Sequence, residues 1–164
     1  MPRLSDFPAG GLLFLDANIF LEHLLRGEPA CTTLFQRLRD GEVRGVTSVA
    51  VLAEVRHRLL LTEAVRRGYV AGSHRALNVL RNRPAILGRL SACDAGLNLL
   101  LETPVHIVSS TPGQFRTAQR LSLRYHLLTN DALHLATLRA HGLRHLASAD
   151  RDFARVPNLT LWIP

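Results

Sequence analysis

Lysine is absent from this chain of 164 residues: all 20 of its basic side chains are arginine, set against 13 acids, for a formal net charge of +7. The absence excludes mechanisms that need an ammonium group, among them the phosphate-binding loop with its Gly-Lys pair. Cysteine is scarce. Cys31 and Cys93 stand apart, with no Cys-x-x-Cys spacing and no nearby histidine pattern. That argues against a disulfide framework or a zinc site and leaves both as reduced, partly buried small hydrophobes. Long apolar runs are missing too: the first is broken by Asp16, so neither a signal peptide nor a membrane span is expected, and the expected location is the cytoplasm with no membrane partner. No low-complexity tract interrupts the chain. With apolar residues at 47%, its composition is that of one folded domain, residues 1–164, long enough to bury its own core.

The excess of arginine points to a polyanionic partner. The hydrophobic pattern points to a fold. Leu12 to Leu15 is a short continuous apolar run after Gly10-Gly11, the pattern of a strand buried on both faces, and a helix is expected from there to about Arg26. Pro29 opens a second helix over Ala30 to Arg39, Val43 to Thr47 reads as a strand, and Ser48 suits the N-cap of a helix reaching about Leu61. From 63 to 102 the chain makes a helical excursion, with segments expected from near Ser73 and from Pro84. Val105 to Ser109 is a third strand, and helices follow over Pro112 to Tyr125 and Asp131 to Ala140, the latter closed by Gly142. His145 to Ser148 and Leu159 to Ile163 complete five strands. Strands alternating with helices predict an α/β/α domain of three layers around a mostly parallel five-stranded sheet.

In such sheets ligands gather at the carboxyl ends of the strands. Asp16 ends the first strand and Asp150 follows the fourth. The helix headed by Asp131 runs into that fourth strand through a short link, so its N-terminus is expected at the same edge. Glu54 sits on the second turn of the helix leaving strand two. Asp16, Glu54, Asp131 and Asp150 therefore form a candidate cluster, with Asp152 a possible fifth member. Each also has an ordinary explanation. Asp16, Asp131 and Asp150 stand at helix starts, where carboxylates cap N–H groups, and Glu54 is spaced to pair with Arg58 on one helix face. If the four converge, their mutual repulsion calls for a cation, and an all-oxygen ligand set suits Mg2+ or Mn2+. A basic protein with an acidic metal pocket has the chemistry of a nuclease: the metal activates water, and arginine holds the backbone.

The stretches "LLFLDANIFLEHL", "TSVAVLAEVRHRL", "LLTNDALHLATLRAHGL" and "HLASADRDFARVPNLTLW" together resemble the successive motifs of the PIN domain family, in particular the VapC-like toxin ribonucleases of VapBC toxin–antitoxin pairs. The resemblance spans residues 12–60 and 105–163. It implies Asp16, Glu54, Asp131 and Asp150 as metal-binding acids, Asn18 and Ser148 as supporting polar residues, and Asp152 as an additional ligand. It implies Mg2+- or Mn2+-dependent cleavage of RNA and a small antitoxin partner. The helical excursion at 63–102 is a departure from the compact members. An RNA-processing nuclease without an antitoxin and a catalytically silent RNA-binding scaffold are the alternatives. A phosphotransfer domain, whose families resemble one another in needing a lysine near the phosphoryl group, does not suit this chain.

Arg116, Arg120 and Arg124 fall at i, i+4 and i+8 on one helix, a stripe that suits a phosphate backbone or a solvated face alike. Arg56, Arg58 and Arg151 are further candidates for RNA contact because they lie near the acids. The eight histidines show no ligand spacing, so all of them, His134 included, are expected to be surface or hydrogen-bonded side chains. Leucines on more than one face of "AILGRLSACDAGLNLLL" suggest burial against a second copy, as a homodimer, or against an antitoxin helix, with ordinary core packing the alternative.

Overall fold

Strand β1 (Leu12–Leu15) lies at the centre of a five-stranded sheet, with β2 (Arg44–Ser48) and then β3 (Val105–Val108) on one side and β4 (His145–Ala147) and then β5 (Thr160–Trp162) on the other. A computed structural model describes all of residues 1–164 apart from the side chains of Ser73 and His74. Every pairing is parallel: Phe14 pairs with Val46 of β2 and Leu146 of β4, Val46 with His106, and Leu146 with Leu161. The sheet is thus wholly rather than mostly parallel. The strand order 3-2-1-4-5 reverses direction at β1. The crevice between β1 and β4 is therefore the topological switch point, where open α/β sheets bind their ligands.

Helices cover both faces. After β1 come α1 (Ala17–Leu21), a π-helical turn over Glu22–Arg26 and α2 (Pro29–Arg39); after β2 comes α3 (Val49–Arg66); between β3 and β4 lie α6 (Pro112–Tyr125) and α7 (Thr129–Ala140). Local chemistry sets their ends. The Ser48 hydroxyl accepts the Val51 N–H at 3.2 Å, and Thr111 and Gln114 form a reciprocal capping box. Gly142, at φ +69°, provides the left-handed turn that lets α7 reverse into β4. The main core is built on β1, where Leu13, Phe14 and Leu15 are fully buried and pack among Phe20, Phe35, Leu135 and Phe153. Side chains of this kind contribute roughly 1.5–3 kcal/mol each on burial. At Gly45 a Cβ would meet Leu38 at 2.9 Å, so the missing side chain lets α2 sit directly on β2.

The excursion differs in detail from the sequence expectation. Helix α3 runs on to Arg66 instead of ending near Leu61, because Leu60, Leu61 and Ala64 join a second small core with Val70, Ala76, Leu80, Ile86 and Leu90. Helix α4 is Ser73–Asn82. The helix expected from Pro84 is instead a 3-10 segment, Pro84–Arg89, followed by a separate α5, Ala92–Leu101. Leu90 and Ile86 turn into the small core, and the break lets α5 pack against α3. One acid ties the two helices. Glu63, on α3, is 8% exposed, accepts the N–H groups of Ala92 and Cys93 at 3.3 and 2.9 Å, and pairs with Arg67 at 2.8 Å. Both cysteines are buried free thiols, and burial pushes Cys31 up to about 12, so they pack as the sequence suggested. No helix among the described residues is long and apolar enough to cross a membrane.

Replacing Glu63 by alanine leaves the buried Cys93 N–H and the part-buried Ala92 N–H at the α5 start without their acceptor, an effect worth about 1–3 kcal/mol. Thermal unfolding followed by circular dichroism is expected to show a midpoint lowered by several degrees for Glu63→Ala. Glu63→Gln, which keeps an acceptor, is expected to lose less.

Candidate active site

Asp16 leaves β1 directly into α1 and is 5% exposed. Its Oδ1 accepts the Ala17 N–H at 2.7 Å, while its Oδ2 accepts Asn18 Nδ2 at 2.7 Å and Ser148 Oγ at 2.6 Å. Ser148 in turn accepts Asn18 Nδ2 at 2.9 Å and the Asp150 N–H at 3.0 Å, and Asn18 Oδ1 accepts the Ala149 N–H at 2.8 Å. This network ties the ends of β1 and β4 together across the switch point. Asn18 and Ser148 both contact Asp16, and Ser148, which the sequence set as a support for Asp150, accepts the N–H of that residue as well. Burial raises the Asp16 carboxyl above its usual value, against the lowering influence of His134, Ser148 and the Ala17 N–H.

The other acids reach the same edge. Asp131 lies in the first turn of α7, which begins two residues earlier than expected, and half-burial together with the charges of Asp150, Asp16 and Glu54 pushes it from 3.8 to about 6. It caps nothing: the residue before α7 is Leu128, which makes no side-chain cap. Asp150 does act as a cap, accepting the Asp152 N–H at 2.8 Å. Glu54 forms no ion pair with Arg58 among the described residues. Instead it accepts Asn130 Nδ2 at 3.1 Å and faces His134. The His134 ring is the main reason its carboxyl lies below the usual range, with Asn130 and Arg58 adding to the effect against burial. Asp152 is engaged by Arg155 three residues on.

His134 is the residue that sequence reasoning passed over. It is neither at the surface nor hydrogen-bonded: 2% exposed, it sets Nε2 3.5 Å from Glu54 and 4.0 Å from Asp16, without the alignment of a hydrogen bond, and Nδ1 has no partner either. Its position one turn after Asp131 on α7 was the available signal, since i and i+3 share a helix face. A histidine search by ligand spacing misses it because its neighbours come from β1 and α3.

The arginines divide. Arg56 forms a two-pronged pair with Asp94, at 2.8 and 3.3 Å, which joins α3 to α5 and accounts for an acid to which the sequence assigned no role. Arg58 opens onto a cleft of about 310 Å3 beside Asn18, together with Arg26 and Arg66. Arg151 is exposed and borders a depression shared with Glu22 and Glu28. Arg116, Arg120 and Arg124 are all exposed along α6.

Among the described residues no three His, Cys, Asp or Glu side chains stand close enough to enclose a bare ion. Asp16 is buried, and Glu54, Asp131 and Asp150 are each partly exposed to solvent. That suits Mg2+, which keeps several of its waters and needs only one or two direct carboxylates. The donor chemistry and the uncompensated charge on Asp131 fit a hard divalent cation.

Fold and site together define an α/β protein with a buried, hydrogen-bonded aspartate, Asp16, at the switch point of a parallel sheet. Residues 13–159 match the family model of the PIN domain, and the chain belongs to that family. It is 26% identical over 149 residues to Ribonuclease VapC2 of Methanocaldococcus jannaschii, an alignment covering 91% of each chain. In structure it is similar to a chain of VapBC2 from Rickettsia felis, solved bound to a DNA fragment from their promoter, with a TM-score of 0.61, 15% identity and coverage of 93% of this chain and 98% of that one. It is also similar to VapC20 of Mycobacterium tuberculosis, described as a sarcin-ricin loop cleaving toxin, with a TM-score of 0.55, 20% identity and coverage of 87% and 92%. These solved structures share the fold.

A carboxyl raised on folding costs stability when ionised. For Asp131 the cost is absent well below pH 3.8, grows as the pH rises toward about 6, and is complete above that. In chelator, Asp131→Asn is expected to melt about 2–4 °C above the parent at about pH 7.5, corresponding to order 1 kcal/mol after allowance for solvent screening at a half-exposed group. The gap is expected to close near pH 4. An unchanged melting temperature at both pH values would contradict the electrostatic description of the cluster.

Proposed function

We propose that this chain is a divalent-metal-dependent endoribonuclease and the toxin of a toxin–antitoxin pair. The reading is supported by the topology that sends Asp16, Glu54, Asp131 and Asp150 to one sheet edge, and by the raised carboxyl of Asp131, pushed up first by burial and then by the charges of Asp150, Asp16 and Glu54. The relative named Ribonuclease VapC2 supports the ribonuclease part of the reading. In this reading the four acids hold Mg2+ or Mn2+ directly or through water. Bound there, the ion supplies an activated water and offsets the charge that develops on the phosphodiester. Ser148 and Asn18 hold the Asp16 carboxylate in one orientation, and Ser148 also fixes the backbone of Asp150. His134 is a positioning residue that fills the floor between Asp16 and Glu54 and faces both. Arg58 and the neighbouring cleft receive the RNA backbone. No covalent enzyme intermediate is needed. Asp152, paired with Arg155, acts as a ligand only if that pair opens.

The same reading assigns the partners. Leu87, Leu99 and Leu101 on the excursion are large apolar side chains open to solvent. They offer apolar surface to an antitoxin or to a second copy of the chain, and structural similarity to a Klebsiella pneumoniae toxin-antitoxin complex, with a TM-score of 0.52 and 22% identity, supports the antitoxin. A small protein that co-purifies and inhibits cleavage would separate this reading from an RNA-processing nuclease without an antitoxin.

The test is incubation of the purified chain with total RNA in Mn2+ or in chelator. Cleavage is expected in Mn2+ alone and is expected to fall by at least about 100-fold in Asp16→Asn and Asp131→Asn. Ser148→Ala, which releases Asp16 without removing an acid, is expected to lose about 10–100-fold. Cleavage that resists chelator, or that survives both aspartate substitutions, would overturn the proposal.

A further inference from the structure

The acids occupy one edge of the sheet, and the opposite edge carries a second charged feature. Arg124 and Tyr125 at the end of α6, Arg139 in the last turn of α7, Arg144 before β4, and Pro157 and Asn158 before β5 line a depression of about 580 Å3. Arg144, Pro157 and Asn158 precede parallel strands, so the depression lies at the amino edge, away from Asp16. No carboxylate lines it. Among the described residues none of its three arginines has an acidic partner, although other arginines on this surface do.

Three guanidiniums that cannot lose their protons thus share one pocket without a counter-charge. Helix ends explain part of this, since the carbonyl termini of α6 and α7 favour cations such as Arg124 and Arg139. That account does not reach Arg144, which starts a strand. The geometry also keeps donors available. Arg124 and Arg139 approach the Tyr125 ring, with their guanidinium carbons 5.4 and 5.5 Å from its centroid, a contact that holds the groups in place without consuming N–H donors. Arg139 gives one donor to the Pro157 carbonyl at 3.1 Å, which anchors it. The remaining donors suit phosphate oxygens, which planar arginine forks bind in pairs.

A path leads to this pocket. Helix α6 starts just after the carboxyl end of β3, on the side of the acids, and ends at the pocket. Its exposed Arg116, Arg120 and Arg124 make steps of about 6 Å between the two edges. We propose that the amino-edge pocket is a second phosphate-binding site that holds the backbone of single-stranded RNA at a distance from the point of cleavage. The site extends the Arg116 to Arg124 stripe to Tyr125, Arg139 and Arg144. The inference rests on the reading of RNA as substrate. It adds a dependence on length: an RNA long enough to span both edges engages this pocket and the Arg58 cleft at once, whereas a short one occupies either of them and loses little when one is removed.

The experiment uses the full chain in chelator, so that no RNA is cut, and measures fluorescence anisotropy of labelled single-stranded RNAs of about 30 and about 6 nucleotides. Arg139→Glu/Arg144→Glu is expected to weaken binding of the long RNA at least about tenfold and to reduce its salt slope by about 1.4, two phosphate contacts' worth for a single strand. Affinity for the short RNA is expected to stay within about twofold. Arg139→Gln/Arg144→Gln, milder for folding, is expected to weaken long-RNA binding by about three- to fivefold, and melting curves verify that both variants are folded. A competition arm adds pyrophosphate at matched ionic strength. Displacement of long RNA no better than by chloride identifies the RNA backbone as the ligand. Displacement specific to the parent protein, with long-RNA affinity unchanged in the variants, would reassign the pocket to small phosphates and overturn the proposal. Equal loss for short and long RNA, equal affinity of parent and variants with an unchanged slope, or no binding of long RNA by the parent would also overturn it. Failure of the nuclease reading is distinguishable, because it shows as absence of cleavage in Mn2+ while the binding comparison in chelator stands.

Discussion

The hydrogen bond from Ser148 to Asp16 is the contact on which the rest of this structure depends. Asp16 ends β1 and Ser148 follows β4, two strands separated by most of the chain, and the 2.6 Å bond joins them at the point where the strand order reverses. A carboxylate at 5% exposure is costly unless it is well supplied with donors. Asp16 has three: the Ala17 N–H, Asn18 Nδ2 and Ser148 Oγ. The same serine and asparagine also receive backbone N–H groups from Ala149 and Asp150, so the orientation of one acid and the path of the loop carrying another are set together.

Around that bond the molecule separates its charges. At the carboxyl edge burial, and then the charges of Asp150, Asp16 and Glu54, raise the Asp131 carboxyl. At the amino edge three arginines line one pocket, two of them against the Tyr125 ring, with no acid in its lining. A net positive chain thus carries acids at one edge of its sheet and unpaired arginines at the other. The helical excursion stands apart from this polarity. It has its own small core, and it is fastened to α3 by the ion pair of Arg56 with Asp94 and by Glu63, which accepts the N–H groups at the start of α5.

Much of the fold was legible in the sequence. The apolar run of β1, the proline starts of α2 and α6, the Ser48 cap and the Gly142 stop are local signals, and each marks an element at or near its observed boundary. The misplacements occur where long-range packing decides. Helix α3 outruns its expected end because Ala64 has a second core to join, and the segment after Pro84 breaks because Ile86 and Leu90 turn inward. The candidate acids were legible because topology alone sends the ends of β1 and β4 and the start of α7 to one edge. His134 was not, since its meaning comes from residues 118 and 80 positions away in the chain, at Asp16 and Glu54.

The sequence by itself determined the order of strands and helices, the absence of lysine chemistry and the set of acids able to meet, because periodicity, capping and composition act within a few residues of one another. Only the tertiary structure decided which charges are answered. It matched Arg56 with Asp94, left Glu54 without Arg58, buried His134 between two carboxylates and placed Arg124, Arg139 and Arg144 in one pocket. Electrostatic interaction depends on distance and burial, and neither quantity exists until the chain has closed on itself.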